Sequence, residues 1–233
     1  MNRLFAAGLM LSTMAFLTQV DASAQGTDAK EALQALQDYI GGWKGNGTSE
    51  KDRSEIWKES ANWSWRFKGK DTSLTVEIKD SKLFKSGEMR FLPDKEKYQL
   101  TLVDKKDKKQ VYEGELKKGA LILEGLDPET KSTRQIKMNT AGGGVRFILT
   151  MSTKPEGRTI YNKQFQVSYT KEGESFGATA KKNECVVTGG LGTMTVSYMG
   201  QTYYVCCGGC RDAFNENPAK IIKEYLARKK KGE

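Results

Sequence analysis

The stretch WSWRFKGKDTSLTVEI, residues 63–78, sets the pattern for most of the chain. Trp63, Trp65 and Phe67 alternate with Ser64, Arg66 and Lys68. A polar turn, Lys68-Gly69-Lys70-Asp71, follows. Leu74, Val76 and Ile78 then alternate with Thr75 and Glu77. A period of two puts one set of side chains on each face of a strand, so this segment predicts two antiparallel strands with one apolar face.

The same period recurs on both sides. Tyr98, Leu100 and Leu102 alternate with Gln99 and Thr101, and Ile136 and Met138 flank Lys137. Val145, Phe147, Leu149 and Met151 form another run, as do Phe165, Val167 and Tyr169. Turn residues such as Pro93-Asp94-Lys95 and Lys117-Lys118-Gly119 separate the runs. About ten such strands, with no helix between them, predict a mainly β domain over residues 25–170. Closure removes exposed edges and buries the apolar face, which favours an up-and-down antiparallel barrel. A two-sheet sandwich is the alternative. Ahead of the strands, Leu33, Leu36 and Ile40 share one face of a short helix over residues 31–40.

This helix, followed by Gly41-Gly42-Trp43, resembles the G-x-W opening of lipocalin-like barrels. The resemblance implies that Trp43 plugs the closed end. It also implies an interior that can take a small apolar ligand, and all four tryptophans fall between residues 43 and 65.

At the start of the chain, Arg3 precedes the apolar run LFAAGLMLSTMAFL, which is too short to span a bilayer comfortably and closes on Ala22-Ser23-Ala24. This predicts a secretory signal peptide, residues 1–24, and a periplasmic or secreted protein with no membrane span after cleavage. The net charge of +9 is spread over turns and outward strand positions, and export argues against nucleic acid as its partner. The sequence contains no histidine. That excludes Ser-His-Asp and Cys-His catalysis, histidine-ligated haem and Cys2His2 zinc sites. With no nucleophile elbow or phosphate loop, the chain is not expected to be an enzyme. Cys207 and Cys210 do form a C-x-x-C, but without a thioredoxin-like context.

After a polar linker, residues 171–183, a second unit is expected over 184–228, with a basic tail at 229–233. All four cysteines lie in this unit: Cys185, Cys206, Cys207 and Cys210. TMTVSYMGQTYYV, residues 193–205, reads as a hairpin turning at Met199-Gly200. Cys185 would open the hairpin and Cys206-Cys207 would end it. Gly208-Gly209 would turn the chain sharply, and Cys210 would begin a short helix. Asn217 and Pro218 signal the start of a second helix, 218–228.

Thiolates from the strand end and the turn can converge on one soft ion such as zinc or copper. A unit of about 45 residues needs a staple. A structural zinc can supply roughly 10–16 kcal/mol and a disulfide about 2–4. Two disulfides are the alternative for an exported chain. Adjacent residues on a strand point to opposite faces, so one of Cys206 and Cys207 should diverge from Cys185.

Residues 184–226 also resemble the YHS/TRASH group of metal-binding domains. The matching positions are Cys185 with Thr188-Gly189, the segment Tyr198–Tyr204, Cys206 and Cys210, then Phe214, Asn217-Pro218 and Lys220. Met199 stands where that group has its histidine, Val186 stands where it has proline after the first cysteine, and Cys207 is additional. The resemblance implies heavy-metal binding in sensing, trafficking or tolerance.

Overall fold

The structure, a computed structural model, describes residues 28–69, 71–142, 144–173 and 183–231. The predicted signal peptide lies outside them. The protein is mainly β, with ten strands closed into an antiparallel barrel. They are β1 Gly41–Ser49, β2 Ile56–Lys68, β3 Asp71–Lys79, β4 Phe84–Leu92, β5 Lys97–Asp104, β6 Lys109–Lys117, β7 Ala120–Leu126, β8 Thr133–Ala141, β9 Arg146–Lys154 and β10 Asn162–Lys171. Each strand pairs with its neighbour in sequence, and β10 returns to β1, with Thr48 opposite Gln166. Closure is the solution expected when every strand has one apolar face and no edge can be left unpaired.

The alternation read in the sequence sorts the side chains as expected. On β2, Trp57, Glu59, Ala61, Trp63 and Trp65 are buried and the residues between them are not. Trp63 faces Val76 and Trp65 faces Leu74 across the β2–β3 pair. Leu100, Leu121, Leu123, Ile136, Met138 and Phe147 fill the interior. Among these side chains the barrel leaves about 30 Å3 of space, bordered by Glu59, Trp63, Leu102, Phe165 and Tyr169. That is room for one or two water molecules. Glu59 is buried and accepts hydrogen bonds from the Trp57 indole at 2.6 Å and from the Tyr169 hydroxyl.

The opening helix is shorter than the sequence suggests. α1 covers Ala29–Gln34, capped by Asp28, and a 3-10 turn at Gln37–Tyr39 replaces its last part. The tighter turn still buries Leu36 and Ile40 and aims the Tyr39 carbonyl at the Trp43 indole, 2.7 Å away. α1 packs against β3 and β4, and the Tyr98 hydroxyl donates to the Ala32 carbonyl at 2.8 Å. Trp43 is fully buried edge-on to Phe147, with ring centres 4.7 Å apart.

The C-terminal part forms a two-stranded sheet, β11 Met194–Tyr198 and β12 Gln201–Val205, followed by α2 Gly208–Glu216 and α3 Pro218–Lys231. Met199 and Gly200 both have positive φ, +49° and +77°, the conformation of a two-residue hairpin turn. α3 begins as expected, with the Asn217 side chain accepting from the Lys220 amide at 3.2 Å. It runs three residues past 228, because Arg228 is held at 2.8 Å by the Val186 carbonyl and Lys229 by Glu184 at 2.7 Å. The segment 229–231 is thus helix instead of free tail.

Gly208-Gly209 differs from the expected sharp turn. Both glycines lie in the first turn of α2, which starts two residues before Cys210. The reason lies on the barrel. β2 pairs with β1 only as far as Trp63, opposite Gly41. Ser64 to Lys68 therefore project beyond β1 with one backbone edge unpaired by any strand. α2 docks there, so closely that a Cβ on Gly209 would sit 1.7 Å from the Trp65 carbonyl oxygen. Glycine at 209 serves close approach, and the extended Cys207 leads directly into α2.

Candidate metal centre

Three short segments carry the four sulfurs. The first is the loop 184–191, closed on itself by the Cys185 amide bonded to the Gly190 carbonyl and the Gly189 amide bonded to the Cys185 carbonyl at 2.8 Å. It lies beside β12, where the Val186 amide donates to the Tyr204 carbonyl at 2.9 Å. The second is the end of β12, which delivers Cys206 and Cys207. The third is the first turn of α2, which carries Cys210. Cys185 and Cys210 are fully buried and the other two nearly so. All four are free thiols.

The sulfurs of Cys185, Cys206 and Cys210 all lie within 4.8 Å of one another. The Cys206 and Cys210 sulfurs are 3.4 Å apart. Metal–sulfur bonds of about 2.3 Å place two sulfurs of one zinc site about 3.8 Å apart. The three donors therefore need only sub-ångström adjustments to share an ion. The donor set is purely soft, which suits zinc or copper(I) and disfavours magnesium or calcium.

Cys207 takes a different place. Its sulfur is 4.0 Å from that of Cys206 but outside the close group of three. It instead accepts the Trp65 backbone amide at 3.3 Å, on the overhanging edge of β2. β12 has ended at Val205, so Cys206 and Cys207 are not held to the opposite faces of a strand, and the Cys207 sulfur also accepts hydrogen bonds from the thiols of Cys206 and Cys210. Of the four candidate ligands, the structure gathers Cys185, Cys206 and Cys210 within 4.8 Å of one another and sets Cys207 at the rim of that group, where its sulfur also fastens the site to the barrel.

The electrostatics favour thiolate. Hydrogen bonds from the Cys206 and Cys210 thiols, opposed by burial, hold Cys185 far below the usual thiol range. Cys207 is lowered in the same way, with a further contribution from the Trp65 amide. Cys206 and Cys210 are pushed up, because they keep the protons that their neighbours accept. The cluster thus holds lone pairs directed inward and shared protons that a soft cation can displace. Cys207 caps α2 and Cys210 lies in its first turn, where the helix dipole also stabilises negative sulfur.

Around the sulfurs, Val186, Val187, Val196, Val205 and Phe214 exclude water. The Thr188 hydroxyl lies 3.6 Å from the Cys206 sulfur, and the Thr188 carbonyl accepts from Gln34 at 3.0 Å. Through that contact the helix that covers the barrel also braces the cysteine loop. Thr188, Gln34 and the Trp65 amide were not picked out from sequence as site residues. Only the unusual length of the apolar alternation through Phe67 hinted that β2 had an edge to offer.

No family model matches the chain, and no curated protein matches it. Among solved structures it is similar to the crystal structure of Rv2717c from M. tuberculosis, at 16% identity and a TM-score of 0.39, over 60% of this chain and 97% of that one.

Proposed function

We propose that this is an exported, periplasmic or secreted, heavy-metal-binding protein that holds a soft ion, zinc or copper(I), on the thiolates of Cys185, Cys206 and Cys210. In this reading the barrel is a lipocalin-like support. The segment 184–228 is a YHS/TRASH-like α+β unit, and the chain handles metal for sensing, trafficking or tolerance without catalysing a reaction. The observation that carries the reading is the group of three buried sulfurs within 4.8 Å of one another. Several further features support it. The thiolate state of Cys185 is favoured by its neighbours. The shell is dry and apolar. The sequence has no histidine, so imidazole is not available as a ligand and the buried donors gathered at the site are all sulfur.

The test is elemental analysis of protein purified without reducing agent, paired with a count of free thiols. The reading expects one equivalent of zinc or copper and thiols that become reactive after chelation. Two intact disulfides, or no metal uptake by fully reduced protein, would overturn it.

A further inference from the structure

α3 carries apolar side chains that the core does not fully cover. Ile221, Ile222 and Tyr225 pack against the core cluster. Ala219, Ile222 and Leu226, spaced along the helix by three and four residues, line a groove shared with Tyr198, Met199 and Tyr203 of the hairpin. The groove encloses about 720 Å3. Its apolar side chains are unusually open for a folded protein, with Met199 85% exposed at the hairpin tip and Leu226 53% exposed. Met199 also holds a left-handed turn conformation that asparagine or glycine would adopt more readily, so local backbone preference does not account for a long apolar side chain there.

The charges around this face have one sign. Lys223 and Lys230 border the groove. Arg228 and Lys229 are engaged elsewhere, by the Val186 carbonyl and by Glu184, and the single carboxylate of the helix, Glu224, lies off the groove beside Lys220 at 4.0 Å. The whole chain has a net charge of +9. A second copy would bring lysines against lysines, which disfavours self-association. An apolar stripe bearing tyrosines and methionine, with lysines at its rim, matches the surface of an anionic bilayer: side chains enter the acyl boundary and ammonium groups meet the headgroups.

We propose that the groove between the β11–β12 hairpin and α3 is a docking face for anionic lipid membrane surfaces, with Met199 and Leu226 inserting and Lys223 and Lys230 pairing with headgroups. The bilayer is bound peripherally. Among the described residues no helix is long and apolar enough to cross it. The proposal is independent of metal binding, because Met199, Leu226, Lys223 and Lys230 all lie outside the buried cluster that holds the cysteines.

The chain from Gln25 to Glu233, which contains every described residue, is sedimented with vesicles of phosphatidylcholine alone or mixed with phosphatidylglycerol. Binding is expected to the mixed vesicles and not to the neutral ones, and to weaken with salt. Lys223→Glu or Lys230→Glu should each weaken it by at least about fivefold. Leu226→Glu should weaken it at least about tenfold, and Met199→Asn, which suits the turn, should weaken it severalfold. Circular dichroism of these surface variants verifies that they are folded. Equal binding to neutral vesicles, no binding to either, or unchanged binding by Leu226→Glu would overturn the proposal. So would a dimer in solution that Leu226→Glu dissolves, or saturable binding of an acidic peptide at this groove without vesicle binding.

Discussion

Replacing Gly209 by alanine would put a methyl group 1.7 Å from the carbonyl oxygen of Trp65 and 2.8 Å from its carbonyl carbon. Ordinary van der Waals contact begins at 3.4 Å, twice the first of these distances, and the obstacle is strand backbone with no flexible end to swing aside. α2 must therefore lift off the overhanging edge of β2. Overpacking of this kind costs about 1–3 kcal/mol. The hydrogen bond from the Trp65 amide to the Cys207 sulfur, 3.3 Å long, goes with it, at about 0.5–1.5 kcal/mol. Against this stands the helix preference of alanine over glycine, worth up to about 1 kcal/mol. The net is a loss of about 0.5–4.5 kcal/mol. Gly208 supplies the control, since a Cβ there meets nothing within 4 Å. Gly208→Ala should be neutral or more stable by up to about 1 kcal/mol. In urea, with a slope of about 2 kcal/mol/M, the Gly209→Ala midpoint should fall by about 0.3–2 M while that of Gly208→Ala holds or rises. Equal midpoints for the two variants would refute the docking of α2 on β2 as the element that fixes the cysteine unit to the barrel.

Cys185→Ser and Cys210→Ser should each abolish stoichiometric metal, whereas Cys207→Ser should retain it and lose only about 1 kcal/mol of stability; metal analysis beside urea unfolding separates the two roles. Chelation of the metal should leave the far-ultraviolet circular dichroism nearly unchanged, because the unit keeps its apolar contacts with the barrel; a collapse of the hairpin signal on chelation would contradict this. Stability should also fall at alkaline pH. Burial raises the phenol of Tyr169 well above 10.0, with Glu59 adding to the shift, and burial likewise raises Tyr39, Tyr98 and Tyr112. A raised folded value means that the neutral phenol's stabilisation is complete below the unfolded value near 10 and is lost as pH climbs past it toward the folded one. Thermal melts should thus be insensitive to these tyrosines up to about pH 9.5 and fall above pH 10, less steeply for Tyr169→Phe.

Much of the barrel was legible in the sequence because its strands obey one rule locally. From Trp63 to Ile78, as from Phe165 to Tyr169, alternation alone assigns the buried face, and the paired residues Trp63–Val76 and Trp65–Leu74 follow from a two-residue turn. The hairpin at Met199-Gly200 was equally local, as was the Asn217-Pro218 helix start. What could not be read is long-range. The glycines at 208 and 209 signal freedom of turn in any sequence-based account, and only the approach of Trp65, more than 140 residues earlier, shows that Gly209 is needed for lack of a side chain. The same holds for Cys207. Strand alternation would send it and Cys206 to opposite faces, but β12 ends at Val205 and their sulfurs stand 4.0 Å apart, and no local rule shows that an overhanging strand edge meets the Cys207 sulfur.

The overhang of β2 also changes what a metal ion at the cysteine group would have to do. A unit of about 45 residues standing alone would depend on a staple, and metal binding would then be inseparable from folding. Here the unit does not stand alone. Cys185, Val186, Val205 and Phe214 belong to the same buried cluster as Trp65, Leu74 and the barrel interior. Gln34 of the covering helix and the Trp65 amide hold its loop and its helix from the barrel side. Much of the ordering entropy of the cysteine loop is thereby offset before any ion arrives. A preformed, buried cluster that keeps its shape without metal can take up and release an ion without unfolding. For such an ion the protons on the cysteine thiols would have to be displaced, and the unit would not have to fold around it.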